Sequence, residues 1–536
     1  MKRKHRRSGQ SAAALAALIL GACSGERSCP ECSTLVIAAT GEPSSLFPPL
    51  VYETVGRDIS DQVFERLAVL KPGGATIDSS AYAPALAERW VRVSDTSWRF
   101  YLRPAARWHD GSRVTAEDVV FSFEVFSDSA LDAAARPALA GQVTAEAEDS
   151  ATVIVRFTRA YPEQLYDATW HVRVLPAHIW RAIPREEWPA DTALAHLVGS
   201  GPYRVAEWVH GQSLRLEAAP GGSAPITRVV WRFAPEADAA LNLLLSGEAD
   251  VMEHLGSPAR VERARADTAL RLIPYPSAAY GFLGFRIQDE RGRPHPLLGS
   301  RELRRALAMG VNRPLLAEGI LGPGTKAPPG PMSRLLWVLD EATAVLPYDT
   351  ARAANLLDSL GWSAQPAGPR RQGRRTLSFD ILVPSTSPVR RDLAVALQEA
   401  WGMQGVGVTV TAVDFPVFNE RLARGQFDSY IGAWLDEPSP RGLADQWTRA
   451  GWGMLNYGYY ANPAFDTLFQ RAVAEANPGQ ARARWREAMD TLNADAPALF
   501  LYAPEQVAAV SKRVEGVTID PYSWASGLRA WRAGPR

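Results

Sequence analysis

The chain has 536 residues, of which 58 are basic and 58 are acidic, so its formal net charge is zero. Five of the basic residues and no acidic residue lie in the first 22 positions, which leaves the rest with an excess of five negative charges. Because nucleic-acid-binding proteins carry a basic footprint, this balance argues against a nucleic-acid partner. The remaining chain of over 500 residues should divide into two or three domains.

The N-terminus has the pattern of an export signal. Basic residues between 2 and 7 precede an apolar run from Ser11 to Leu20, which is shorter than the roughly 20 residues needed to cross a bilayer. Leu20-Gly21-Ala22-Cys23 resembles a bacterial lipobox, which implies cleavage before Cys23, acylation of that cysteine and a lipid tether to the membrane. The alternative is an ordinary signal peptide followed by a chance cysteine. We therefore expect a lipoprotein signal peptide at 1–22 and a tether at 23–33.

Two further cysteines, Cys29 and Cys32, form a C-x-x-C motif in the tether. Such a pair can be redox-active or can supply half of a metal site. The sequence has no second pair to complete a tetrahedral site, and no thioredoxin-like strand and helix surround the motif. In an oxidising compartment we expect a small disulfide between them, and we predict no metal and no cofactor.

The segment from Pro84 to Phe123 is the most informative run in the chain. Apolar and polar residues alternate at 98–102, as in a half-buried strand. His109-Asp110-Gly111 predicts a turn, and Thr115 predicts the N-cap of a helix with one apolar face. His109 and Asp110 could suggest an acid–base pair, but adjacent residues in a tight turn seldom face one another. Packing therefore explains this motif better than catalysis.

The other segments alternate between strand and helix patterns. We predict strands at 35–40, 151–158, 377–383, 405–413 and 427–434, and helices at 390–403 and 417–424. At 239–250 we predict an amphipathic helix that stops at Gly247 and is followed by a turn. Strands that alternate with helices indicate an α/β domain with much parallel pairing.

These runs resemble the signatures of the extracytoplasmic solute-binding proteins of family 5, the peptide, dipeptide and nickel receptors of ABC importers. The resemblance rests on 84–123 and on shorter motifs at 41–48, 175–178, 199–208, 239–250, 303–313 and 349–362. Ser200 and Asn312 replace the usual Thr and Asp of two of these motifs. Asn can end a helix as Asp does, so we do not interpret that change as a loss of function.

The resemblance implies an α/β, two-lobed fold like that of periplasmic binding proteins, of type II, in the large cluster with an extra subdomain. Its ligand cleft would lie between lobes that close by hinge motion. The first lobe would comprise 34–55, 175–275 and 500–536, with an inserted subdomain at 56–174. The second lobe would comprise 276–499.

The candidate ligand-binding residues follow a predicted strand. In peptide-binding relatives an acidic residue at this point meets the α-ammonium group of the ligand, and a charge-assisted hydrogen bond offsets its burial. The spacing is shorter here, so either Asp436 or Glu437 could take that role, or both could belong to a solvated acidic turn. Aromatic faces can line a cleft at low entropic cost. Trp434, Trp452 and Tyr457 are therefore candidates, with core packing as the alternative.

The sequence contains no G-x-S-x-G, H-E-x-x-H or Walker A motif, and its eight histidines are scattered. We therefore expect no enzymatic activity, including that of an envelope hydrolase. The resemblance implies a monomeric, lipid-anchored protein on the periplasmic or extracytoplasmic side. It would capture an oligopeptide-like solute and deliver it to an ABC permease driven by a separate ATPase subunit. The alternatives are an oligosaccharide or nickel chelate as the ligand, or a non-transport role as a peptide chaperone or sensor.

Overall fold

The computed structural model describes residues 33–131, 133, 135–322 and 324–535. The predicted signal peptide, the lipidation site Cys23 and the predicted disulfide between Cys29 and Cys32 therefore lie outside the described residues. Within the described ranges, no helix combines the length and the apolar character needed to cross a membrane.

A seven-stranded sheet forms the centre of what we call the first lobe. Its strands, in spatial order, are Leu270–Pro276, Glu505–Ser511, Val251–Met252, Thr34–Thr40, Arg228–Ala234, Ser213–Ala218 and Tyr203–Val209. The strand predicted at 35–40 is confirmed and runs parallel to both of its neighbours. The strands farther out pair antiparallel.

A five-stranded sheet forms the centre of the second lobe. Its order is Gly407–Val413, Ser378–Pro384, Ser429–Leu435, Ala279–Phe285 and Ala498–Tyr502. The predicted strands in this region are confirmed. The predicted parallel pairing holds for the first three strands, whereas Ala279–Phe285 is antiparallel to both of its neighbours. The chain leaves this sheet after Tyr502 and enters the first sheet at Glu505.

The first lobe carries a subdomain built on a four-stranded antiparallel sheet. Its order is Ala87–Ser94, Ser97–Leu102, Thr152–Phe157 and Val143–Asp149. Three two-stranded ribbons complete the strands: Ala68–Leu70 with Tyr82–Pro84, Arg371–Gln372 with Arg375–Thr376, and Val514–Glu515 with Arg532–Ala533. The lobe boundaries predicted from the sequence remain predictions.

The helices cover the faces of the sheets. In the first lobe and its subdomain they are Thr54–Val63, Ala116–Phe126, Arg136–Leu139, Gln164–Trp170, Ala177–Trp180, Ala237–Leu245 and Pro258–Arg265. In the second lobe they are Arg301–Met309, Arg313–Leu321, Thr350–Ser359, Pro388–Gly402, Phe415–Ala423, Leu443–Trp447, Pro463–Ala474 and Pro478–Asp495. The helices predicted at 390–403 and 417–424 are confirmed within two residues at each end. The helix predicted from Ala239 to a stop at Gly247 is confirmed as Ala237–Leu245, with a turn after it.

The second lobe has two apolar cores, one on each face of its sheet. Leu283 and Phe285 pack into one core, while Tyr280 and Phe282 pack into the other. This division follows from the two-residue period of a strand, which sends successive side chains to opposite faces. Because both faces are covered, the strands are apolar almost throughout.

The His109-Asp110-Gly111 motif is a structural junction. Gly111 has a φ of 91°, as the predicted turn requires. The Nε2 of His109 lies 2.9 Å from the carbonyl oxygen of Gly201, while an Asp110 carboxylate oxygen lies 2.7 Å from Nε2 of His178. The two side chains therefore contact different partners, and the turn joins three motifs that are far apart in the sequence.

Candidate ligand-binding cleft

A cavity of about 650 Å³ lies between the two lobes. The first lobe and its subdomain contribute lining residues between 48 and 173, and the second lobe contributes residues between 435 and 455. Its volume falls within the range of about 300–1,000 Å³ that is typical of small-molecule sites. The second-lobe part begins where strand Ser429–Leu435 ends, at the carboxyl edge where α/β sheets commonly bind ligands.

Asp436 lines this cavity and is 7 % exposed. Its Oδ2 accepts a hydrogen bond of 2.6 Å from the backbone N–H of Ser333. Its own N–H donates to the carbonyl oxygen of Ala278, at 2.9 Å, where the chain crosses from the first sheet to the second. Burial raises the pKa of Asp436 to about 7, because it outweighs the opposing effect of the Ser333 donors. No Lys, Arg or His side chain of the described ranges forms an ion pair with it.

Glu437, the second acidic candidate, also lines the cavity. Its Oε2 accepts a long hydrogen bond of 3.4 Å from the hydroxyl of Tyr166 in the subdomain. This contact joins the two lobes across the cavity. Asp436 and Glu437 therefore lie at the same site, but only Asp436 is deeply buried.

The three aromatic candidates lie outside the cavity lining. Trp434 stacks on Tyr457, with ring centroids 6.2 Å apart, and both pack against a core of the second lobe. Trp452 donates its Nε1–H to the carbonyl oxygen of Tyr460 at 2.9 Å. Trp434 and Tyr457 therefore lie against the neighbouring core, whereas Trp452 lies beside Tyr459 and Tyr460. Contact of the three aromatic candidates with a ligand remains a prediction.

Sequence reasoning missed the aromatic residues that do line the cavity. Tyr52, Phe126, Tyr166 and Trp170 all belong to the first lobe or its subdomain. The run from Tyr161 to Trp170 is rich in aromatic residues, and this was the available signal. Its position opposite 435–446 could not be deduced, because the two segments are more than 260 residues apart.

An ion cluster joins the lobes at one side of the cavity. Arg441 of the second lobe pairs with Asp167 of the subdomain, at 2.5 Å, and also with Glu163. The two carboxylates are 4 % and 3 % exposed, whereas the Arg441 side chain is 27 % exposed. Burial alone would raise the pKa of Asp167, but hydrogen bonds from His171 and the charge of Arg441 hold it below its usual value.

Hydroxyl groups extend this cluster on both sides. Glu163 accepts hydrogen bonds from Ser439 of the second lobe, at 2.6 Å, and from Thr76 of the first lobe. Trp337 of the second lobe donates its Nε1–H to the Thr76 hydroxyl at 3.0 Å. Two of the groups that contact the buried Glu163 carboxylate, Ser439 and Arg441, therefore come from the opposite lobe, whereas Thr76 comes from its own.

The charges around the cavity are divided between the lobes. The first lobe and subdomain supply four arginines to the lining, namely Arg57, Arg66, Arg159 and Arg173. The second lobe supplies three acidic residues, Asp436, Glu437 and Asp445, together with Arg441. Arg66 and Arg173 both pair with Asp61. Across the described ranges, no cluster of three or more His, Cys, Asp or Glu side chains is arranged to hold a metal ion.

A comparison with known protein families identifies the family to which this architecture belongs. The family model described as bacterial extracellular solute-binding proteins, family 5 Middle, matches residues 81–453. This chain belongs to that family. The resemblance inferred from the motifs is therefore confirmed, and the family is one of solute-binding proteins that act outside the cytoplasm.

Individual relatives of the family 5 chain are distant in sequence but similar in length. Protein XP55 of Streptomyces lividans is 26 % identical over 493 residues, which cover 90 % of this chain and 86 % of XP55. The oligopeptide-binding protein AppA of Bacillus subtilis is 22 % identical over 546 residues, which cover 96 % of each chain.

Solved structures of the family show the same two-lobed fold. The structure of AppA from Bacillus subtilis, in complex with a nonapeptide, matches with a TM-score of 0.73 at 21 % identity and covers 94 % of this chain and 99 % of AppA. NikZ from Campylobacter jejuni, in complex with Ni(L-His), matches with a TM-score of 0.74 at 21 % identity and the same coverage. The predicted fold class is thus confirmed.

Proposed function

We propose that this chain is the lipid-anchored substrate-binding protein of an ABC importer. It captures an oligopeptide-like solute in the cleft between its lobes and delivers it to a membrane permease on the outer side of the membrane. It acts by reversible binding and closure, not by catalysis. The related AppA, an oligopeptide-binding protein whose solved structure holds a nonapeptide, supports a peptide as the ligand.

The observation that carries this proposal is the environment of Asp436. This carboxyl group is almost fully buried, lines the cavity and has no cationic partner among the described residues. Burying an ionised carboxylate without a counter-ion has a free-energy cost on the order of several kcal/mol, even after the surrounding protein has adjusted to the charge. A ligand ammonium group would supply the missing charge and a charge-assisted hydrogen bond. The N-terminus of a peptide has this chemistry.

The first test is mass spectrometry of whatever the purified protein releases when it is denatured. Residues 24–536 would be used, so that the lipid does not interfere. Released peptides would support the proposal. A released oligosaccharide or nickel chelate would overturn peptide binding while leaving the fold unchanged. If nothing is released, a random pool of dipeptides to nonapeptides is offered, and failure to retain any of them would also overturn it.

Closure around the ligand should be visible in solution. We expect a saturating peptide to lower the radius of gyration, because its contacts with both lobes favour the closed state. Small-angle X-ray scattering with and without the peptide measures this change. An unchanged radius at saturation would contradict the hinge model.

The lipid anchor has a separate test. In cells grown with labelled palmitate, the full-length chain should incorporate the label, whereas Cys23→Ser should not, because the acylated thioether cannot form. Cys29→Ser is the matched control and should retain the label. Equal labelling of wild type and Cys23→Ser would contradict the anchor.

A further inference from the structure

Arg57 is a cationic group in the cleft that the described structure leaves unpaired. It lies in helix Thr54–Val63 of the first lobe, is partly buried and lines the cavity. Its Nε is buried without a hydrogen-bond partner. None of the described residues forms an ion pair with it within 4.0 Å. A partly desolvated guanidinium in this state favours an anionic partner.

The other arginines of the first-lobe lining are less suited to a ligand. Arg66 and Arg173 are held by Asp61, with nitrogen–oxygen distances of 3.2 and 2.6 Å. Arg159 is exposed and lies over the ring of Tyr161, at 5.1 Å from its centroid. Arg66 and Arg173 also have a buried N–H without a hydrogen-bond partner, but each already pairs with Asp61. Among these four arginines, Arg57 is therefore the one that is partly buried, lines the cavity and has no ion-pair partner among the described residues.

Two acidic residues lie near Arg57 without pairing with it. Both carboxylate oxygens of Asp58 are buried, and no cation of the described residues forms an ion pair with them. Burial and the nearby Glu253 raise the pKa of Asp58 well above its usual value, and burial raises the pKa of Glu253 to about 7. This pair thus holds less than its full negative charge at neutral pH and leaves part of the Arg57 charge uncompensated.

We propose that Arg57 binds a carboxylate group of the ligand, on the first-lobe side of the cavity. The inference rests on the proposed function and assigns the second end of the ligand. An ammonium group faces Asp436 in the second lobe, while a carboxylate meets the Arg57 guanidinium, whose planar donors match its two oxygens. One ligand then contacts opposite charges in both lobes, which couples its binding to closure. The carboxylate belongs either to the peptide C-terminus or to an Asp or Glu side chain.

The experiment uses the peptide best retained from the random pool, resynthesised in three forms. These carry a free C-terminus, a C-terminal amide, or Asn and Gln in place of any Asp and Glu. For the wild type, we expect removal of the bound carboxylate to weaken binding by about ten- to a hundredfold, as measured by calorimetry. Loss on amidation identifies the C-terminus, and loss on the Asn and Gln replacement identifies the side chain.

Three variants test the assignment to Arg57. Arg57→Gln should bind the free acid more weakly and should lose the discrimination between the forms. Arg57→Lys should recover part of it. Arg159→Gln, the matched control from the same lining, should discriminate as the wild type does. A thermal melt verifies that each variant is folded, and discrimination by folded Arg57→Gln at the wild-type level would overturn the inference.

The remaining outcomes separate this inference from the function it rests on. If the wild type retains no peptide from the pool, the proposed function fails and the inference fails with it. If the wild type binds peptides but tolerates both amidation and loss of the acidic side chains, only the Arg57 inference is overturned.

Discussion

Asp436→Asn should weaken the binding of a peptide with a free N-terminus by at least about thirtyfold, because truncating one partner of a buried charge pair costs about 2–5 kcal/mol. Isothermal titration calorimetry measures this loss. The same variant should bind an N-acetylated peptide as weakly as the wild type does, since that peptide has no ammonium group. Glu437→Gln is the matched control, and we expect a smaller loss because Glu437 accepts only one long hydrogen bond, at 3.4 Å. A larger loss of peptide affinity in Glu437→Gln than in Asp436→Asn would show that Glu437, and not Asp436, binds the ammonium group.

The raised pKa of Asp436 gives this prediction a pH dependence. Because burial raises the pKa to about 7, the ligand-free protein holds the proton at lower pH, and an ammonium ligand must displace it. Affinity should therefore fall by up to about tenfold for each pH unit below 7. The affinity of Asp436→Asn should not show this dependence on pH. An equal change of affinity with pH in the wild type and the variant would contradict the prediction.

The same shift affects the stability of the ligand-free protein. The pKa of Asp436 in the folded state lies above its value of about 4 in the unfolded state. Between about pH 4 and pH 7, the folded state therefore binds the proton of Asp436 and the unfolded state does not. Asp436 therefore lowers the free energy of unfolding as the pH rises from about 4 to 7. Asp436→Asn should melt at a higher temperature than the wild type at pH 8 and close to it at pH 4.

Arg441→Gln should destabilise the closed state, and this is the second large effect that we expect. Once the lobes meet, the change leaves Glu163 buried without Arg441, its cation, and leaves Asp167 with His171 as its remaining ion-pair partner among the described residues. Removing one partner of a buried ion pair costs about 3–5 kcal/mol, and the 27 % exposure of Arg441 places the expected cost near the lower end. Peptide affinity should fall by about a hundredfold, and scattering should show a larger radius of gyration at a given peptide concentration.

A triple variant distinguishes this interlobe role from direct ligand contact, since Arg441 also lines the cavity. Glu163→Gln, Asp167→Asn and Arg441→Gln together remove all three charges, and neutral replacement of a buried ion cluster is often tolerated. We expect the triple variant to recover most of the affinity that Arg441→Gln loses. Affinity as low as that of the single variant would show that Arg441 acts on the ligand instead.

The features that depend on neighbouring residues could be predicted from the amino-acid sequence. The strand at 35–40 and the turn at His109-Asp110-Gly111 follow from local apolar periodicity and turn chemistry. The resemblance to peptide-binding relatives indicated Asp436 or Glu437 at the end of a strand without deciding between them, and contact of either residue with a ligand remains a prediction. The motif at 84–123 was specific enough to indicate the family and, with it, the two-lobed fold.

The side-chain contacts across the cleft could not be predicted from the sequence and became visible in the folded chain. Arg441 and Asp167 are 274 positions apart, and no local pattern connects them. The clustering of Trp434, Trp452 and Tyr457 in the sequence suggested a cleft, yet the cavity lining includes none of them. Trp434 and Tyr457 pack beside a core instead, because aromatic residues suit both environments. Arg57 carried no sequence signal, because its proposed role rests on the lack of an ion-pair partner among the described residues. Such pairings depend on how the lobes pack, and that packing is a property of the whole chain.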